Sequence, residues 1–405
     1  MKHFVERERE KEIIKWLDSK EILAIRGPRQ SGKTTILNKI MEMLKEKGKK
    51  VHYISFEDDL EREKFEKNPK GYIEYYIGED REKSFFLLDE VQYIKTAGKL
   101  LKLIYDSIEN IKIVITGSST LDINEVGIYL VGRVLFFELY PFSFTEFLKA
   151  KDAKAHQYYI KNKFAISKEI STLFLDKLNI YLKEYLQFGC YPRVVLERNI
   201  EKKKFLLKNL FLTYIEKDIV KVYGIRYKQK IIDLIRNLAS INSCIINYDE
   251  LCSLTGLYNK ELKEILSILQ DTYVIKLIKP FHKNLTSELK KNPKVYFIDT
   301  GLRNFITGRF DFSDEEIGKL LENYVLNRFK EDKVNFWRTT AKAEVDFILK
   351  EKTPIEVKIH PKLTRALRSF ISAYKPEIAF IVNLTSFSKT NIGKTRIFIV
   401  PAALI

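Results

Sequence analysis

Apolar and polar positions follow two rhythms along this chain. Short unbroken apolar runs dominate the first third: "ILAI" (22–25), "VHYISF" (51–56), "FFLLDE" (85–90), "IKIVITGSS" (111–119) and "VLFFEL" (134–139). Runs of this length suit strands buried on both faces. Stretches with helical spacing lie between them, so the pattern predicts a doubly wound α/β domain over residues 1–145. Residues 146–224 then read as helices, as in "FTEFLKA" and "KLNIYLKEYLQFG".

The rhythm changes again over residues 225–298. Apolar residues recur at helical spacing over 231–238, and Asn247 or Tyr248 precedes a short second helix, "DELCSLTG", closed by Gly256. "NKELKEILSILQDT" reads as a third helix, and "YVIKLIKPF" and "PKVYFID" as two strands. Three short helices followed by a β-ribbon is the winged helix-turn-helix pattern. It would present Tyr258, Asn259, Lys260 and Lys263 to a groove or to phosphates. Residues 226–294 hold 12 Lys plus Arg and 7 Asp plus Glu, a net of +5. A docking or dimerisation module is the other use of such an element.

Residues 299–405 read in the order α-β-β-β-α-β. The helix "DEEIGKLLENYVLNRFK" places Ile317, Leu320, Leu321, Tyr324, Val325 and Phe329 on its apolar side. Strands "VNFWR", "AEVDFIL" and "PIEVKI" follow, then the helix "KLTRALRSFISAY" and the strand "IAFIVN". A period of two puts Glu344, Asp346 and Ile348 on one face of their strand, and Glu356 with Lys358 on one face of the next. The short "KEKTP" link makes those strands neighbours, so Asp346 is expected opposite or diagonal to Glu356.

Composition adds a partner class. Of 405 residues, 71 are Lys or Arg and 54 Asp or Glu, a formal charge of +17 that favours a polyanion such as nucleic acid, DNA first. A solvated Lys-rich surface is the plainer reading. Cys190, Cys244 and Cys252 have no metal-like spacing, as expected in a reducing compartment. The start "MKHFVERERE" lacks the apolar core of a signal peptide, and no run is long enough to span a bilayer. A cytoplasmic protein without membrane contact is therefore expected.

Chemistry enters with "GPRQSGKT", Gly27–Thr34, which fits G-x-x-x-x-G-K-[ST] between a strand and a helix. Its glycines let backbone N–H groups turn toward one anion, and the helix dipole adds to that field. Gly27, Pro28, Arg29, Gln30, Ser31, Gly32, Lys33, Thr34 and Thr35 are expected around ATP. Lys33 would reach the β- and γ-phosphates, and Thr34 would ligate Mg²⁺. Asp89, ending an apolar strand, would hold the Mg²⁺ shell, and Glu90 would orient or deprotonate water. Ser118 or Ser119 would sense the γ-phosphate. Arg133 is a candidate arginine finger, in cis or from a neighbouring subunit of a homo-oligomer, or else a surface arginine capping a strand.

These residues resemble AAA+ ATPases. A nearer resemblance is to a family of archaeal and bacterial proteins with an AAA-type module, helices and a separate C-terminal domain. It rests on "GPRQSGKTT", "LLDEVQ", "ITGSS", "GRVLFFELYPFSFTEFL", "GCYPRVV" and "YIEKDI". The resemblance implies ATP hydrolysis and a helical lid over residues 146–224. The last hundred residues resemble PD-(D/E)XK nucleases of the restriction-endonuclease-like fold. That likeness implies Mg²⁺ on Asp346 and Glu356, Lys358 steadying developing charge, and Glu322 as a fourth member. The alternatives are a structural ion-pair network on the sheet, and a nucleotide-gated switch or DNA-binding regulator with an inactive nuclease fold.

Overall fold

Strand β1 (Ile22–Arg26) has four consecutive buried residues and lies between two parallel neighbours, as an unbroken apolar run should. The computed structural model describes residues 4–79, 82–117, 126–163, 171–214, 228–281 and 291–405. The chain divides into two units. One runs to Phe142 and includes Asp271–Tyr273; the other holds Ser143–Gln270 and Val274–Ile405.

In the first unit, β1 joins β2 (Lys50–Ser55), β3 (Ser84–Asp89), β4 (Ile111–Gly117) and β5 (Val134–Glu138) in the order β2-β3-β4-β1-β5, all parallel. Helices α1 (Glu8–Lys15), α2 (Lys33–Glu46), α3 (Asp59–Lys67), α4 (Pro69–Ile77) and α5 (Ala97–Ser107) accompany it. Alternate residues feed two cores. Ile22, Ala24, Phe86 and Ile115 pack with Leu101 and Ile104 of α5, while Leu23, Ile25, Leu87 and Val114 pack with Ile36, Leu37 and Ile40 of α2. A sheet covered on both faces opens its loops at the carboxyl ends of its strands, where ligands of α/β folds bind.

The second unit begins with α6 (Phe144–Lys151), started by a reciprocal Ser143–Glu146 capping box. Helices α7 (Ala153–Asn162), α8 (Thr172–Phe188), α9 (Pro192–Leu196) and α10 (Ile200–Thr213) follow. Next come α11 (Lys228–Ser240), α12 (Tyr248–Thr255) and α13 (Asn259–Asp271), then the antiparallel ribbon β6 (Ile275–Ile278) and β7 (Lys294–Phe297). Asn247 caps α12 and Gly256 ends it with φ 64°, as the sequence suggests. One core runs through Phe188, Leu207, Leu234, Leu262, Leu266 and Val295. The expected division at 224/225 falls outside the described residues, as do Ser118, Ser119 and most of "YIEKDI".

Helix α14 (Thr300–Thr307) escapes the sequence reading. It packs on α8, α10 and α11, so its residues belong with the helices and not with the last sheet. Asp299 caps it and also accepts from the Cys190 backbone N–H at 2.7 Å, which ties the "GCYP" stretch to its start.

The last sheet follows α15 (Asp314–Arg328). It contains β8 (Val334–Arg338), β9 (Glu344–Leu349), β10 (Thr353–Val357), β11 (Ile378–Asn383), β12 (Ser388–Ile392) and β13 (Thr395–Pro401), ordered β12-β13-β11-β10-β9-β8. Helix α16 (Arg365–Tyr374) connects β10 to its parallel neighbour β11. The expected α-β-β-β-α-β order is present. The hairpin β12–β13 is additional: β12 is an exposed edge strand without an apolar run, turning at Gly393 with φ 56°.

One expected strand face is corrected. Asn335 pairs with Ile348 but Trp337 with Val345, so β9 carries an extra residue against β8. That bulge breaks the alternation at Asp346–Phe347. Ile348 therefore packs with Val345, Trp337 and Phe370, away from the face expected for Asp346. No helix among the described residues is long and apolar enough to cross a membrane.

Candidate functional site

The loop after β1 carries the phosphate-binding signature, and its backbone is shaped for it. A Cβ on Gly27 would lie 2.1 Å from the Leu139 carbonyl oxygen, so only glycine lets the loop pass there. Gln30 (φ 58°) and Gly32 (φ 101°) both take positive φ. Gly32 precedes α2 without a side-chain cap, leaving the positive end of the helix dipole to face the loop. The Lys33 ammonium is buried and donates to the Gly27 and Pro28 carbonyls at 2.9 and 3.0 Å. Ser31 is buried, while Gln30, Thr34 and Thr35 are exposed on the same turn; Arg29 is half-buried.

Asp89 organises the centre beside this loop. Its Oδ2 accepts from Thr34 Oγ1 at 2.9 Å and from the Tyr53 hydroxyl at 2.8 Å, and its Oδ1 accepts from Thr116 Oγ1. Burial, with Asp89 beside it, pushes the Tyr53 hydroxyl well above its ordinary value, so it remains a donor. Glu90 follows with φ 58°; its N–H donates to Thr116 Oγ1 at 3.1 Å, and Gln92 Nε2 donates to its Oε2. The Thr34 hydroxyl and Asp89 carboxylate are the hard oxygen donors that Mg²⁺ takes, so these residues fit that ion.

Three residues here escape the sequence reading. Thr116 and Tyr53 hold Asp89, and Arg7 holds the loop: its guanidinium donates to the Ser31 and Tyr140 carbonyls, each at 2.6 Å, and lies 5.0 Å from the Phe142 ring centre. A polar residue ending an apolar strand was the available signal for Thr116. Nothing local in "FVERERE" marks Arg7.

Arg133 stands elsewhere. Ile22 N–H donates to its carbonyl at 2.8 Å, so it flanks the start of β1, while Gly27 follows the end. Five residues at roughly 3.3 Å each separate the two edges. Its guanidinium pairs with Asp106 at 2.9 Å. A finger role in cis does not fit this position.

The carboxylates of the last sheet gather, but around lysines. Lys358 Nζ lies 3.0 Å from Glu356 Oε1 and 3.3 Å from Asp346 Oδ2, and that oxygen also accepts from the Val357 N–H at 2.7 Å. Glu322 Oε2 accepts from the Tyr296 hydroxyl at 3.2 Å and lies 3.8 Å from Lys294 Nζ. Lys294 in turn sits 2.5 Å from Glu344 Oε1, and Arg338 reaches the other oxygen of Glu344 at 3.3 Å.

Burial, helped by the Asp346 charge, pushes Glu322 up to about 8 and Glu356 up to about 7. Burial opposes the charge on Lys294, but Glu322, Asp346 and Glu344 outweigh it and raise that lysine above its ordinary value. Among the described residues no group of three or more His, Cys, Asp or Glu side chains is placed to hold a metal ion. The expected Mg²⁺ set does not fit here: besides that absence, one oxygen each of Glu322, Asp346 and Glu356 already faces an ammonium. A cleft of about 650 Å³ opens over the centre, lined in part by Asp314, Glu315, Lys319, Glu322, Lys358 and Lys362.

Residues 19–148 match the AAA domain family, residues 179–313 a domain of unknown function, DUF8612, and residues 317–405 another, DUF4143. The first unit therefore carries an AAA domain with the P-loop NTPase fold. An uncharacterized protein of Haemophilus influenzae is 26% identical over 308 residues, 74% of this chain and 72% of that one. The uncharacterized protein MJ1544 of Methanocaldococcus jannaschii is 30% identical over 348 residues, 83% of this chain and 73% of that one. Among solved structures, the replication initiator DnaA bound to AMPPCP and single-stranded DNA is 17% identical and covers 66% of this chain and 89% of that one, with a TM-score of 0.31. That likeness is too distant to say what this chain binds.

Proposed function

The chain belongs to the same family as MJ1544 of Methanocaldococcus jannaschii, and on that premise we propose that it is an ATP-binding and ATP-hydrolysing AAA+-type protein acting on DNA. The observation that carries the reading is Asp89, which takes three hydroxyl donors beside a phosphate-shaped loop. ATP would draw Lys33 from the Gly27 and Pro28 carbonyls to its β- and γ-phosphates. Thr34 and Asp89 would hold Mg²⁺, which supplies charge neutralisation to the transferred phosphoryl. Glu90, pinned by Thr116 and Gln92, would orient the attacking water. The formal charge of +17 and the helix pair α12–α13 ahead of a ribbon support DNA as the partner, through a winged-helix contact. The test is steady-state ATP turnover with and without DNA: turnover lost in Lys33→Ala supports the reading, and equal turnover in that variant removes it.

The last sheet keeps the element order of a PD-(D/E)XK nuclease. Lys294, a cation that the motif does not call for, favours the form of that fold that does not cut DNA. In this reading ATP binding and hydrolysis move a scaffold that grips DNA. Plasmid and branched DNA incubated with Mg²⁺ or Mn²⁺ should stay intact. Cutting that vanishes in Asp346→Ala would reinstate an active nuclease.

A further inference from the structure

Strand β7 ends its connection from β6 by inserting Lys294 beneath the last sheet. The side chain is 3% exposed, and its ammonium lies 2.5 Å from Glu344 Oε1 and 3.8 Å from Glu322 Oε2. The Phe336 ring centre is 5.5 Å away and closes one side. Two residues along the same strand, hence on the same face, Tyr296 donates to Glu322 at 3.2 Å. Lys358 lies 3.3 Å from Asp346 Oδ2 and 3.0 Å from Glu356 Oε1. A buried ammonium persists only where carboxylates surround it, and a cluster of buried carboxyl groups persists only with cations among them or protons on some of its members. Each set is therefore the reason the other can be buried.

We infer that Lys294 is the resident cation of this acidic centre, delivered by the ribbon, and that it holds the place a divalent ion would need. While β7 is docked, Glu322 and Glu344 are committed to an ammonium and Asp346 to Lys358 and the Val357 N–H. Lys294 is thus a built-in counter-ion that keeps a divalent ion from this centre. The inference rests on the nuclease-like reading of the last sheet and is independent of the ATPase reading.

Mn²⁺ titration of the full-length protein, followed by calorimetry and by the free-Mn²⁺ electron paramagnetic resonance signal, tests it. The wild type should show no Mn²⁺ site that Asp346→Asn removes. Lys294→Met should gain one, binding at least roughly tenfold tighter than the wild type. Glu344→Gln, which releases the nearest partner of Lys294 while keeping the lysine, should gain a weaker one. Circular dichroism verifies that each variant is folded. An Asp346-dependent Mn²⁺ site in the wild type, equal to that of Lys294→Met, overturns the inference together with the non-cutting reading. Folded Lys294→Met and Glu344→Gln proteins that bind no Mn²⁺ overturn the inference and leave the non-cutting reading of the last sheet standing.

Discussion

Thr34 Oγ1 donates to Asp89 Oδ2 at 2.9 Å, joining the first turn of α2 to the carboxyl end of β3. The pair is 55 positions apart in sequence. Parallel strand order brings them together, because the loops after neighbouring parallel strands open at one edge. The amide of Asp89→Asn would keep the size of the side chain and lose its charge. ATP turnover should then fall by about two orders of magnitude, with a higher Mg²⁺ requirement and a smaller loss of ATP affinity. Turnover against Mg²⁺ concentration checks this, and an unchanged Mg²⁺ dependence would remove Asp89 from the ion.

Glu90 adopts φ 58°, a region that costs a non-glycine residue about 1–3 kcal/mol. Bonds from Gln92 and to Thr116 hold it there. Glu90→Gln keeps the shape and loses the base, so ATP should bind with unchanged affinity while hydrolysis stops. Fluorescent ATP-analogue binding and phosphate release, measured together, separate the two effects. Normal hydrolysis in the variant would assign the base elsewhere.

Gly27 and the Leu139 carbonyl pass so close that a methyl group has no room; its Cβ would sit 2.1 Å from that oxygen. Neither atom is at the end of a flexible side chain, so relief requires backbone movement. Gly27→Ala should lower stability by about 2–4 kcal/mol and abolish nucleotide-induced stabilisation, read as the shift in thermal midpoint with and without ATP. A variant stabilised by ATP like the wild type would show that the loop can reshape at little cost.

The five strands of the first sheet and the loop at its edge are legible in sequence because a parallel sheet buried on both faces leaves runs such as "ILAI" and "FFLLDE". Thr116, Tyr53 and Arg7 are not legible. Their roles come from register and from a crossing of chain segments, and neither leaves a local pattern. In the last sheet, Asp346, Glu356 and Lys358 meet as read, and a bulge sends Ile348 to the other side. The occupant of that centre is hidden for a different reason. Lys294 reads as an ordinary strand lysine, and only the docking of the ribbon shows that its charge is spent on Glu322 and Glu344.

The paired carboxylates of that centre give a pH dependence with a definite sign. Asp346, Glu344, Lys294 and Lys358 face Glu322 or Glu356, and with burial they leave Glu322 near 8 and Glu356 near 7, against an ordinary 4.5. Between the ordinary value and the raised ones, the folded chain holds protons that the unfolded chain releases. Stability from this source is therefore complete below about pH 4.5 and drains away as pH climbs toward 8. Glu322→Gln with Glu356→Gln fixes the neutral form. The double variant should lose less stability than the wild type between pH 5 and pH 8, measured by urea unfolding at each pH. Parallel losses in the two proteins would mean that both carboxyl groups are already ionised across that range, held so by Lys294 and Lys358.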